Sequence, residues 1–246
     1  MSEIQSLARG LKILDLLGKA REDISITELA RTLGVDKGSA SRLVSTLAQH
    51  GYAEKDALTR RYHLGPQVVS LSRSVLTRLP LREAARPFLR RLMEQSGECA
   101  HLAVPAQRRV LYIDQVESPA TLRVNAEVGT LNPAHCTALG KALLAFGGLE
   151  FPEKLEPHTP HTLTSRLALE HDLEAVRQAG YALDDEEFDL GVRCLAAPVF
   201  DFRDRVVGAI GISGPATRMA LEDLPSLAAL VVAAGRALSE RMRFNR

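Results

Sequence analysis

Between residues 5 and 51 three short amphipathic segments follow one another with room only for tight turns between them. Residues 7–20 place Leu7, Leu11, Leu14 and Leu17 at helical spacing, with Ser6 available as an N-cap. Residues 24–34 carry Leu29, Ala30 and Leu33 on one face, with Ser25 or Thr27 as cap, Glu28 in the first turn and Gly34 as a stop. Residues 35–51 repeat the device with Ala40, Leu43, Val44 and Leu47, opened by Asp36 and closed by Gly51. At residue 52 the period changes. Residues 52–56 and 61–65 read as two short strands joined by residues 57–60. Three helices with a glycine-containing turn between the second and third, then a hairpin, predict a winged helix-turn-helix.

The face of the third helix opposite its apolar stripe presents Ser39, Ser41, Arg42, Ser45 and Gln49. A helix of this kind fits the major groove of double-stranded DNA, where Arg can grip guanine bidentately and Ser can donate or accept at several bases. Lys37 and the free amides at the helix start suit a phosphate. In the hairpin, Lys55, Arg60 and Arg61 can reach the flanking backbone. A solvated helix face and a charged turn would carry the same residue types, so the order of the elements makes the argument. The net charge of +1 over 246 residues adds little by itself, because a strongly basic balance is the commoner mark of a DNA-binding chain. Its distribution helps: residues 1–64 hold ten Lys/Arg against eight Asp/Glu, while residues from 80 onward hold nineteen against twenty-two.

From Pro66 a further helix carries Val68, Val69, Leu71, Val75, Leu76 and Leu79 on a broad apolar face, which requires a partner surface or a second subunit. Pro80 breaks it, and the helix that follows contains Pro87, where a kink is expected. Residues 99–104, 109–116 and 121–126 read as strands, 136–147 and 169–179 as helices, 181–188, 194–200 and 206–213 as strands, and 220–243 as a long helix. Strands clustered at both ends of this region with helices between predict an α+β domain on a largely antiparallel sheet. The expected domains are 1–65, a linker helix 66–79, and 80–246. No opening apolar run and no stretch of about 18 apolar residues is present, so no membrane span is expected. Three widely spaced cysteines, Cys99, Cys136 and Cys194, fit a reducing, cytoplasmic setting better than a disulfide framework.

In its motifs the chain resembles the IclR family of bacterial transcriptional regulators. The resemblance is carried by SLARGLKILDLL, ISITELARTLGVDKGSASRLVSTLAQHGY, RRYHLGPQVVSL, PLREAARPFLRRL, HCTALGKALLAF and DDEEFDLGVRCLAAPVFDFRDRVVGAIGISGP, in the family's order. Gly38 departs from it, standing where Ser is usual. The resemblance implies a winged helix-turn-helix, a linker helix and a C-terminal GAF-like α/β domain that binds a small effector. It also implies dimers that often pair into tetramers on operator half-sites, and no cofactor.

Read by themselves, the residues of the second region leave alternatives open. The HCTALGKA segment offers amides at Thr137, Ala138 and Leu139 to a carboxylate, with Gly140 permitting close packing, and a capped packing helix would look the same. Asp184 opens an acidic run that suits a solvated turn. Cys194 suits a buried thiol, and Ser213 a strand end. Carried over by position, the resemblance makes Ala138, Leu139, Asp184, Val192, Cys194, Gly211 and Ser213 pocket residues, with Leu131, Val192 and Val124 as an apolar wall. An acid effector would then sit on the 137–140 amides. A catalytic pairing of Cys136 or Cys194 with His101 or His135 lacks any accompanying enzyme motif. Zinc held by Cys99, His101, His135 and Cys136 matches no standard spacing, so no metal is expected.

Overall fold

The computed structural model describes residues 3–76 and 79–244. The chain divides into two compact units, Met1–Arg78 and Leu79–Arg246.

In the first unit helices α1 (Gln5–Lys19), α2 (Ile26–Leu33) and α3 (Lys37–Gln49) precede a hairpin of β1 (Ala53–Lys55) and β2 (Tyr62–Leu64). Ser25 and Glu28 close a full capping box on α2, and Gly34 ends that helix at φ 65°, where a Cβ would be strained. Asp36 caps α3 by accepting from the Ser39 amide at 2.8 Å. On α1 the expectation fails. The helix starts at Gln5, one residue before Ser6, with Ile4 at the cap position and no side-chain cap, and Leu7 and Leu11 stay exposed. Of the expected apolar positions Leu17 does enter the core, with Ile13, Leu29, Val44, Ala53 and Tyr62. Burying each Ile, Leu or Val among them contributes about 1.5–3 kcal/mol. Helix α4 (Gln67–Leu76) follows, with Val69, Leu71 and Val75 exposed. The Leu76 side chain and residues 77–78, part of the expected linker, lie outside the described residues.

The second unit is a six-stranded sheet in the order β5-β4-β3-β8-β7-β6, antiparallel at every pairing. Its strands are β3 (Cys99–Ala106), β4 (Arg109–Val116), β5 (Leu131–Pro133), β6 (Ala182–Asp185), β7 (Val192–Phe200) and β8 (Val206–Pro215). Helices α5 (Pro80–Ser96) and α8 (Leu224–Phe244) pack together on one face, and α6 (Ala138–Ala145) and α7 (Arg166–Ala179) lie on the other. Helix α5 continues through Pro87. Residues 121–126 do not form the expected strand. The edge of β4 is taken by Gly129 and Thr130, which bond to the two backbone groups of Tyr112, and then by β5. An alternating run with no free edge to pair with stays irregular. Among the described residues no helix is long and apolar enough to cross a membrane.

Candidate nucleic-acid interface and ligand site

On α3 the cap shapes the exposed face. The Ser39 hydroxyl donates to Asp36 Oδ2 at 2.6 Å and accepts from Arg42 Nη2 at 3.2 Å. Asp36 is held below the usual carboxylate range by the Ser39 hydroxyl and amide, so it stays ionised and the chain of bonds persists at neutral pH. Arg42 is thereby leaned toward the start of the helix while remaining exposed. Beside it, Ser6, Arg9, Ser39, Arg42, Leu43 and Thr46 line a groove of about 240 Å³. Arg9 comes from α1, and helical spacing alone gave no reason to single it out. Gly38 sits where a Cβ would meet Asp36 Oδ1 at 3.0 Å, so its lack of a side chain leaves the cap undisturbed.

The hairpin treats its three cations differently. Lys55 Nζ lies 5.5 Å from the centre of the Tyr62 ring. Arg60 stands exposed in the turn at φ 61°, a turn that Asp56 fixes by accepting from the Leu58 and Thr59 amides. Arg61 turns inward. Its guanidinium donates to the Asp23 carbonyl at 2.6 Å and to Glu28 at 2.8 Å. Glu28, held near 2 by the Ser25 hydroxyl and amide and then by Arg61, is a permanent anion for it. Arg61 therefore ties the hairpin to α2.

In the second unit the register assembles a polar row. Asp184 on β6 stands opposite Cys194 on β7, Cys194 opposite Ser213 on β8, and Ser213 opposite Cys99 on β3. Cys194 and Ala196 pack with residues of α6, so Asp184, Val192 and Ser213, in phase with them, share the α6 face of the sheet. Asp184 is only 2% exposed, far from the solvated turn its acidic run suggested. It accepts from the amides of Glu187 at 2.8 Å and Phe188 at 3.3 Å. Burial outweighs those bonds and, with Glu187 nearby, pushes its carboxyl up to about 7. The Cys194 thiol lies within hydrogen-bonding reach of Ser213 and Asp184, and burial pushes it well above the ordinary thiol range. His101, opposite Gly211, is fully buried with neither ring nitrogen partnered among the described residues, and burial lowers it to about 4.

Helix α6 packs on this face of the sheet. Thr137 caps it, donating to the Pro133 carbonyl at 2.7 Å and accepting from the Gly140 amide at 3.3 Å. The Gly140 amide is thus already taken, and among the described residues the amides of Ala138 and Leu139, the first of the helix, have no intrahelical acceptor. Gly140 is required by packing: a Cβ there would stand 2.3 Å from the Ala134 carbonyl oxygen. Every residue of α6 is buried, including Lys141. Burial opposes the Lys141 charge, but Glu187 and Asp172 override it and raise its pKa. Lys141 and Glu187 are the buried pair that spacing did not reveal, although one Lys in an otherwise apolar helix is a visible anomaly.

Two expected pocket residues are placed otherwise, and a third lies in an irregular segment. Leu131 pairs with Leu111, out of phase with Val110 and Tyr112, so it lies on the opposite face and is 42% exposed. Gly211 leaves no vacant space, since a Cβ there would meet the Leu195 carbonyl oxygen at 2.2 Å. Val124 sits in the irregular segment 121–126. Ala138, Leu139 and Cys194 pack in one core cluster, and Asp184, Val192 and Ser213 lie on the same face of the sheet.

Comparison with known proteins matches two family models. Bacterial transcriptional regulator IclR C-terminal covers residues 73–240, and IclR helix-turn-helix domain covers residues 6–57. The HTH-type transcriptional regulator BhcR of Paracoccus denitrificans is 39% identical over 242 residues, 96% of this chain and 86% of its own length. The transcriptional repressor IclR of Escherichia coli is 35% identical over 242 residues, 95% of this chain and 88% of its own. Among solved structures, an IclR transcriptional regulator from Silicibacter sp. TM1040 superposes with a TM-score of 0.82 at 29% identity, covering 96% of each chain.

Proposed function

The chain belongs to the IclR family of bacterial transcriptional regulators, and from that premise we propose that a small carboxylic acid, bound at the head of α6, sets its affinity for operator DNA. What supports this reading is the row of Asp184, Cys194 and Ser213 across three adjacent strands, on the face of the sheet against which α6 packs. A carboxylate on the Ala138 and Leu139 amides meets the positive end of the helix. With its pKa near 7, Asp184 holds a proton for part of the neutral range and donates it to the ligand instead of repelling it. Val192 supplies an apolar wall. Arg42, Ser39, Ser41 and Ser45 read bases, while Lys37, Lys55 and Arg60 contact phosphates.

The exposed Val69, Leu71 and Val75 of α4 are the surface on which two chains would pair, so that two recognition helices meet two half-sites. An effector that prefers one arrangement of the paired chains then changes operator affinity by about 5- to 150-fold, a coupling of about 1–3 kcal/mol. The test is calorimetric titration of a panel of small carboxylic acids into the wild type and Ser213→Trp. The reading requires at least one acid to bind the wild type and to lose its affinity in the blocked variant. Equal affinity in both places the effector elsewhere.

A further inference from the structure

The loop before α7 brings a third soft donor to the His135–Cys136 pair. Atoms of His135, Cys136 and His158 able to ligate a metal all lie within 4.8 Å of one another. Cys99 and His101, the other candidates for such a site, do not belong to this group. His135 is buried, and its Nε2 lies 3.0 Å from the Glu156 carbonyl oxygen, the bond that fixes a ring so that Nδ1 is offered to a metal. Cys136 is fully buried directly before the Thr137 cap.

His158 is set in place by a built loop, although 22 residues separate it from Cys136. Its amide donates to Thr162 Oγ1 at 3.0 Å. Thr162 and Thr159 donate in turn to the Glu187 and Glu186 carbonyls, each at 2.6 Å. The His158 ring lies 5.1 Å from the Phe188 ring and 6.0 Å from the His135 ring. Tetrahedral donors about 2.0–2.3 Å from a zinc ion stand about 3.5 Å apart, so a side-chain rotation of the exposed His158 closes the set. His135 and His158 both face a cavity of about 550 Å³ that also admits Arg108, Arg109 and Lys154.

We propose that His135, Cys136 and His158 form a zinc site with one open coordination position facing this cavity. Two imidazoles and a thiolate are a soft, nitrogen–sulfur set that selects Zn²⁺ over Mg²⁺ or Ca²⁺. Three protein ligands leave the fourth position to water or an anion, as zinc sites that exchange ligands do. Binding forms the Zn–S bond as the Cys136 thiol gives up its proton to solvent, so affinity rises with pH. The site does not depend on the effector reading proposed above.

The experiment uses the full chain stripped with a chelator, then titrated with zinc against a chromophoric competitor and separately with Co²⁺. One equivalent of zinc should bind, and Co²⁺ should show a thiolate-to-metal charge-transfer band. His158→Asn, an exposed change that leaves the core intact, should weaken zinc binding on the order of tenfold or more. The nearby His161→Asn should leave it unchanged. Cys136→Ser should abolish the charge-transfer band. No stoichiometric zinc binding by the wild type, or equal affinity in wild type and His158→Asn, would overturn the proposal.

Discussion

The two units place their functional groups in opposite environments. In the first, the residues proposed to touch DNA lie on the surface, and their organising contacts are three or four residues apart: Asp36 with Ser39, Ser39 with Arg42, Arg42 with Thr46. In the second, Asp184, Ser213 and Lys141 are buried and Cys194 is half-buried, all drawn from separate elements, so each shifts its neighbours' charge state. Surface groups tolerate change locally, whereas a buried network transmits it. A regulator needs both: a reader whose shape is fixed by short-range bonds, and a sensor whose balance a small ligand can tip.

The sharpest way to break this contrast is Lys141→Met. It leaves Glu187 and Asp172 without their buried cation, so urea unfolding of the second unit should lose about 3–5 kcal/mol at pH 8. The loss should shrink in acid, because burial already raises the Glu187 carboxyl toward protonation. Next in size is the pH dependence of Asp184. Its pKa is raised from 3.8 to about 7, so the fold holds a proton that the unfolded chain releases. Its contribution is complete below pH 4 and is lost as pH rises through about 7, worth roughly 2–4 kcal/mol across that window. Asp184→Asn should remove that slope, read by urea midpoints at pH 4, 6 and 8. An unchanged slope would mean that Asp184 is open to water.

The surface reader should respond more mildly and only in binding. Arg42→Ala should weaken specific DNA binding by about 1–3 kcal/mol in mobility shifts against genomic fragments, with thermal stability unchanged. Retained binding at moderate salt would remove α3 from the interface. The smallest effect is expected at Ser25→Ala, which deletes the capping box of α2 and should cost about 1 kcal/mol, seen as faster hydrogen exchange in that helix.

The same contrast decides what the amino-acid order reveals. The winged helix-turn-helix is legible because caps and stops act over three or four residues, as Ser25, Gly34 and Asp36 show. The antiparallel sheet is legible from its alternating runs, but not which run wins an edge. Residues 121–126 have the pattern and lose β4 to Gly129 and Thr130. Arg61 reads as one more wing cation, yet Glu28, 33 residues away, captures it. Leu131 looks like pocket wall until the register with Leu111 sends it to the other face. Lys141 with Glu187, and His158 with His135, meet only because the fold closes loops of tens of residues, and no local spacing encodes such meetings.

The central claim is that the buried row governs the exposed reader. Its most direct test is operator affinity, measured by fluorescence anisotropy with and without the acid that calorimetry selects, in wild type and in Ser213→Trp. The account predicts a shift of at least about fivefold in the wild type and none in Ser213→Trp, with both proteins binding DNA equally in the absence of acid. An acid that binds at the head of α6 yet leaves wild-type DNA affinity unchanged would contradict it.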